Sequence, residues 1–110
     1  DPFVTKARDV VLDHLDETEF SVMHLYRAVL LSRTQLHKKL KALTGMSATH
    51  FIRHIRLAKA RELLKNQDMN ITEIAYQVGF SDPNYFTRCY GEEFGESPSE
   101  TRNGKINNKI

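Results

Sequence analysis

Apolar residues recur at helical spacing along most of the chain, and polar caps or glycines separate the runs. Phe3, Ala7, Val10, Val11 and Leu15 form the first stripe, and "DETE" breaks it. Ser21 caps a second run whose inner face is Val22, Leu25, Ala28 and Val29. "SRTQ" reads as a capping box, Ser32 reaching forward and Gln35 reaching back. Leu36, Leu40 and Leu43 follow as the buried positions of that third helix, and Gly45 stops it. Ser47 opens a long helix to about Gln67. Its apolar side is Phe51, Ile52, Ile55, Ala58, Ala60, Leu63 and Leu64; its other side carries Arg53, Arg56, Lys59, Arg61 and Lys65. Asn70 with Glu73 opens the next helix, faced by Ile71, Ile74, Ala75 and Val78 and ended by Gly79. Asp82 followed by Pro83 is a strong start signal for another, with Phe86, Tyr90 and Phe94 as its stripe and Gly95 as its stop. "SPSE" begins a short final helix, and the tail "NGKINNKI" is expected to fray. No strand pattern competes, so the reading is all-α with about seven helices.

Two of these segments match. Displaced by 49 residues, Ser21, Val22, Leu25 and Val29 meet Asn70, Ile71, Ile74 and Val78. Displaced by 50, Ser32, Leu36, Lys38, Leu40 and Gly45 meet Asp82, Phe86, Arg88, Tyr90 and Gly95. Each unit is helix, tight turn, capped helix, the arrangement in which the second helix can enter a DNA major groove. The units span about 21–45 and 70–95, and the helix of about 47–67 links them within one domain of 1–110. Twenty-one helical residues would span about 30 Å, against about 34 Å between successive major-groove faces of one duplex.

Charge separates the two copies. Residues 21–66 hold ten basic and one acidic side chain, net +9; residues 67–100 hold one basic and seven acidic, net −6. The chain as a whole is only +2. A basic block inside a nearly neutral chain suggests a polyanion-facing surface rather than general solubility. The plain alternative is a solvated helical face. No apolar run approaches the ~20 residues of a membrane span, and the N-terminus has no signal-peptide pattern. One cysteine, Cys89, excludes an internal disulfide and fits a reducing cytoplasm. Its phase places it on the buried side of its helix. The abrupt start at Asp1, close to a helical pattern, reads as a module of a longer protein.

The segments "SRTQLHKKLKALTGMS" and "IRLAKARELL…NITEIAYQVGFSDPNYFTRCYGEEFGESPSE" resemble the signature of AraC/XylS-type transcription regulators over roughly residues 3–102. The wording is especially similar to the output domain of hybrid two-component regulators. The resemblance implies a seven-helix bacterial domain that binds double-stranded promoter DNA with both second helices in the major groove. It also implies fusion to a sensor, receiver or dimerisation region and an indirect partnership with RNA polymerase. Carried over by position, it points to Thr34, His37 and Lys38 in the first unit and Asn84, Tyr85, Thr87 and Arg88 in the second.

Helical phase agrees independently: 34, 37, 38 and 41 share a face, as do 84, 87, 88 and 91. Lys38 and Arg88 suit guanine O6 and N7, and His37 and Asn84 suit base edges. Thr34 and Thr87 suit a base or a thymine methyl. Ser32, Arg33 and the amides at their helix start suit a phosphate, as does Lys41.

The first unit departs from the pattern at its turn, with Tyr26 where the second has Ala75 and Leu30 where it has Gly79. A left-handed Leu costs about 1–2 kcal/mol, so this turn, one residue shorter, is expected to be rebuilt. The second unit departs in "YGEEFG", where Gly91 and Glu92 replace the lysines the family favours. Catalysis finds no support. Glu92 and Glu93 are adjacent and diverge on a helix, and there is no nucleophile–base pair or phosphate-cradling loop, so no cofactor is expected. His50 and His54 could pair on a metal, but no third ligand is evident nearby in the sequence, so no metal is expected. The rival readings are a helical protein-interaction module and a non-specific DNA-binding protein.

Overall fold

The computed structural model describes residues 1–66 and 68–107, leaving aside the side chains of 105–107. Seven helices follow one another: α1 (Pro2–Asp13), α2 (Val22–Ala28), α3 (Arg33–Thr44), α4 (Ala48–Leu63), α5 (Ile71–Gln77), α6 (Pro83–Phe94) and α7 (Pro98–Asn107). There is no strand among the described residues.

The starts and stops are chemical. Asp1 accepts from the amides of Phe3 and Val4 at 2.7 and 3.2 Å. Ser32 and Gln35 close their box at 3.1 and 2.9 Å, and Asn70 and Glu73 theirs at 2.8 and 3.1 Å. Such caps satisfy amides that a helix start otherwise leaves open, each contributing about 1 kcal/mol. Gly45 and Gly95 end α3 and α6 with φ of 77° and 75°, where a side chain would be strained.

The molecule is 47 Å long and 26 by 21 Å across, because it has two cores and not one. The first gathers Ala7, Val11, Leu25, Leu36, Leu40 and Ile55. The second gathers Leu57, Ile74, Val78, Phe86, Cys89 and Tyr90. Helix α4 belongs to both: its residues through Ile55 face the first core and those from Leu57 onward face the second.

Several expectations are corrected. Helix α4 ends at Leu63, not near Gln67, which itself lies outside the described residues. The amides of Lys65 and Asn66 fold back onto Glu62 and Leu63, and Arg102 from α7 donates to the carbonyls of Leu64 and Asn66, each at 3.0 Å. A 16-residue helix spans about 24 Å, so linker length alone does not bridge one DNA turn. Leu43 is exposed and Ala28 faces solvent, whereas Leu57, which the apolar stripe omitted, is fully buried. Helix α7 runs through Asn107 into the segment expected to fray; residues 108–110 lie outside the described residues.

The first turn is the largest correction. It is not rebuilt. Leu30 takes φ 59°, as Gly79 takes 94°. The amide of Leu31 donates to the carbonyl of Tyr26 at 2.9 Å, just as Phe80 donates to Ala75 at 2.9 Å. Both helices end in the same left-handed turn. Leu30 bears the strain with its side chain 85% exposed.

Candidate nucleic-acid interface

Helices α3 and α6 are the second helices of the two units. On α3 the buried Leu36 and Leu40 fix the rotation, and Arg33, Thr34, His37, Lys38 and Lys41 are left exposed. On α6 the buried Phe86, Cys89 and Tyr90 do the same and expose Asn84, Tyr85, Thr87 and Arg88. Every site residue expected from sequence therefore lies on the outer face of its helix.

Their surroundings differ in detail. Arg33, Thr34, His37 and Lys38 line a groove of about 440 Å³ with Val22 of α2 and Thr49 of α4. Among the described residues neither Lys38 nor Arg88 has a carboxylate within 4 Å, so both retain their full donor capacity. Arg88 lies 5.1 Å over the Tyr85 ring, a cation–π contact that holds the guanidinium against the helix. Tyr85 in turn packs on Phe80 with ring centroids 6.0 Å apart. The neighbouring Cys89 side chain is the main cause holding the Tyr85 phenol above its ordinary value.

Three residues are partly engaged. Ser32 Oγ accepts from its own box, leaving its hydroxyl proton for a phosphate. Thr87 donates to the Pro83 carbonyl at 3.1 Å, so it offers outward a lone pair and a methyl. Lys41 Nζ donates to the Gly45 carbonyl at 3.0 Å and thereby caps its own helix.

Two further residues reach this face without having been singled out. Thr49 borders both the α3 groove and a second groove of about 330 Å³ between the units. Arg53, one turn on, lines the second groove with Tyr85, Ser21 and Ser81. Their spacing of four on α4 was the available signal; only the packing shows that this strip of the helix lies between the two units.

On another flank, Glu93 of α6 sits between His50 Nε2 at 3.3 Å and His54 Nδ1 at 2.8 Å. The second unit thus supplies a carboxylate that pairs with both histidines, a contact between α4 and α6 that sequence spacing did not reveal. Burial alone would raise the Glu93 carboxyl, but the hydrogen bonds and charges of His54 and His50 together hold it below its ordinary value. Among the described residues no three His, Cys, Asp or Glu side chains are placed to hold a metal ion. Arg56 also leaves the polar face assigned to it, since it turns inward and burial lowers its pKa below the ordinary guanidinium value.

Comparison with known proteins agrees with this layout. Residues 25–104 match the family described as a helix-turn-helix domain. A histidine kinase, P4 of Formosa agariphila, is 40% identical over 98 residues, covering 89% of this chain and 7% of that protein. The transcriptional activator RhaS of Salmonella arizonae is 43% identical over 75 residues, covering 68% of this chain and 27% of its own length. The chain thus spans well under a third of either relative. The DNA-binding domain of the transcription factor AdpA, solved in complex with a target DNA, superposes with a TM-score of 0.81 at 26% identity, covering 92% of this chain and 90% of that one. No helix among the described residues is long and apolar enough to cross a membrane. With two capped units, matched turns and outward donor rows, the chain belongs to the AraC-type helix-turn-helix family and is a sequence-specific DNA-binding domain of a transcription regulator.

Proposed function

We propose that α3 and α6 enter successive major-groove turns on one face of promoter DNA. The observation that carries this reading is the matched pair of outward donors: Lys38 and Arg88 occupy equivalent positions of equivalent helices, and among the described residues neither has a carboxylate within 4 Å. The 47 Å length of the molecule accommodates two sites about 34 Å apart. Arg88, with Asn84 beside it, reads base edges in one box; Lys38 and His37 read the other. Arg33, Ser32, Lys41, Thr49 and Arg53 hold phosphates, which position the domain without reading sequence. Tyr85 fixes Arg88, and Thr34 and Thr87 meet bases or methyl groups.

In this reading the domain acts in the bacterial cytoplasm as the output segment of a longer regulator. The likeness to a histidine kinase supports fusion to a two-component sensor, and contact with RNA polymerase is indirect. Random-site selection on duplex DNA with this chain is the test. Two short boxes about one helical turn apart are expected. Steep salt dependence without preference would instead indicate non-specific coating, and no binding at all would leave a protein-interaction module.

A further inference from the structure

Arg56 sits at the point of α4 where the chain passes from one core to the other, between Ile55 and Leu57. Its Nη2 donates to the carbonyls of Glu17 at 3.0 Å and Phe20 at 3.3 Å, in the loop between α1 and α2. Its Nε is buried and has no partner among the described residues. Among those residues no carboxylate lies within 4 Å of it, and the Glu17 carboxylate is engaged by His14 at 2.7 Å. A half-buried guanidinium with two carbonyl acceptors and no counter-ion is an expensive filler. An apolar side chain of similar volume would fill the space without that penalty.

The second unit closes on the other side of this group. A Cβ at Gly79 would come within 2.8 Å of Arg56 Nε, 2.9 Å of its Cζ and 2.5 Å of the Leu15 carbonyl oxygen. Leu15, in the same loop, packs against the second core. The loop after α1, the middle of α4 and the turn before α6 therefore meet at one guanidinium.

We propose that Arg56 is a positioning residue that sets the angle between the two DNA-reading units and thereby the box spacing the domain accepts. This rests on the two-box reading above. Without the donations from Nη2, the α1–α2 loop is released from α4 and the turn at Gly79 loses the surface it stops against. The units then rock about α4. Each unit keeps its own core and its own donors, so affinity for a single box is retained.

Two measurements test it. The first compares wild type with Arg56→Met and Arg56→Lys on duplexes whose boxes are moved apart or together by one base pair. Each such step shifts the second box by about 3.4 Å and turns it by about 35°. The wild-type preference for one spacing is expected to weaken by on the order of threefold to tenfold in Arg56→Met, with single-box affinity unchanged.

The second reads geometry without DNA. Spin labels at Ala42→Cys on α3 and Glu92→Cys on α6, in a Cys89→Ala background, report the inter-unit distance. A broadened or shifted distribution is expected in Arg56→Met and a smaller change in Arg56→Lys, with the helical spectrum retained. If Arg56→Met does not fold, Arg56→Lys carries both readings. An unchanged distance distribution overturns the proposal, as does equal loss of affinity at every spacing. If distances broaden while wild type shows no two-box preference, the positioning role stands and the two-box reading fails.

Discussion

The two turns have one backbone shape and opposite side chains. Leu30 and Gly79 both take positive φ, and both turns close with the same hydrogen bond at 2.9 Å. Yet Leu30 stands in water, while Gly79 is buried against the Leu15 carbonyl and Arg56. A left-handed turn therefore does not by itself demand glycine. It charges a side chain about 1–2 kcal/mol, which a turn with open space can bear. Close approach of another part of the backbone is what excludes a side chain at 79.

The largest effect should come from Gly79→Ala. Backbone strain of about 1–2 kcal/mol adds to overpacking of about 1–3 kcal/mol. A loss of about 2–5 kcal/mol in urea denaturation is expected. A loss below about 1 kcal/mol would mean the joint yields freely and would erase the contrast with Leu30.

Next comes DNA. Arg88→Ala should weaken binding by about 1–3 kcal/mol and relax preference in one box only. Uniform weakening across sequences, measured by competition, would make Arg88 a phosphate contact instead.

Leu30→Gly runs the other way. It relieves about 1–2 kcal/mol of strain and adds about 0.4–1 kcal/mol of unfolded-chain entropy. The net stabilisation is up to about 1.6 kcal/mol, readable as a raised urea midpoint at unchanged slope.

Gly91→Lys tests the charge contrast between the units. Gly91 lies mid-helix at the position matching Lys41, with nothing within 4 Å of a Cβ built there. The change should stabilise the helix by up to ~1 kcal/mol and steepen the salt dependence of DNA binding by about one unit. No change in slope would mean that this face of α6 does not approach a phosphate.

The smallest effect concerns pH. The Glu93 carboxyl is held below its ordinary value in the folded chain. Its contribution to stability is therefore present above the ordinary carboxylate range and lost as pH falls through the lower folded value. Glu93→Gln should flatten that acid limb of the stability profile while leaving the α3 unit's single-box affinity intact. An unchanged acid limb would remove the clamp between α4 and α6.

Local chemistry was legible in the sequence; joints between distant segments were not. Ser32 with Gln35, Asn70 with Glu73 and Asp82 with Pro83 act within one turn, so their spacing alone located the helix starts. The rotation of α3 and α6 followed from Leu36, Leu40, Phe86 and Tyr90. By contrast, Arg56 finds its carbonyls 36 and 39 residues away, and nothing in its own helix distinguishes it from the exposed basic residues around it. The end of α4 depends on Arg102, which arrives from α7. Leu43 fits the apolar period yet lies at the end of its helix, past the reach of the core. At Leu30 the left-handed strain is a local property, whereas the bond from the Leu31 amide to the Tyr26 carbonyl that offsets it forms only in the folded turn.

Helix α4 passes from one core to the other within three residues, Ile55 to Leu57. Truncation at either position opens a cavity in a different unit, although the two share one rod. Hydrogen exchange should then resolve them as separate opening events: Ile55→Ala loosening the α3 half first, Leu57→Ala the α6 half. A single helix would carry the boundary between two melting neighbourhoods, and a signal that loosens one reading head need not disarm the other.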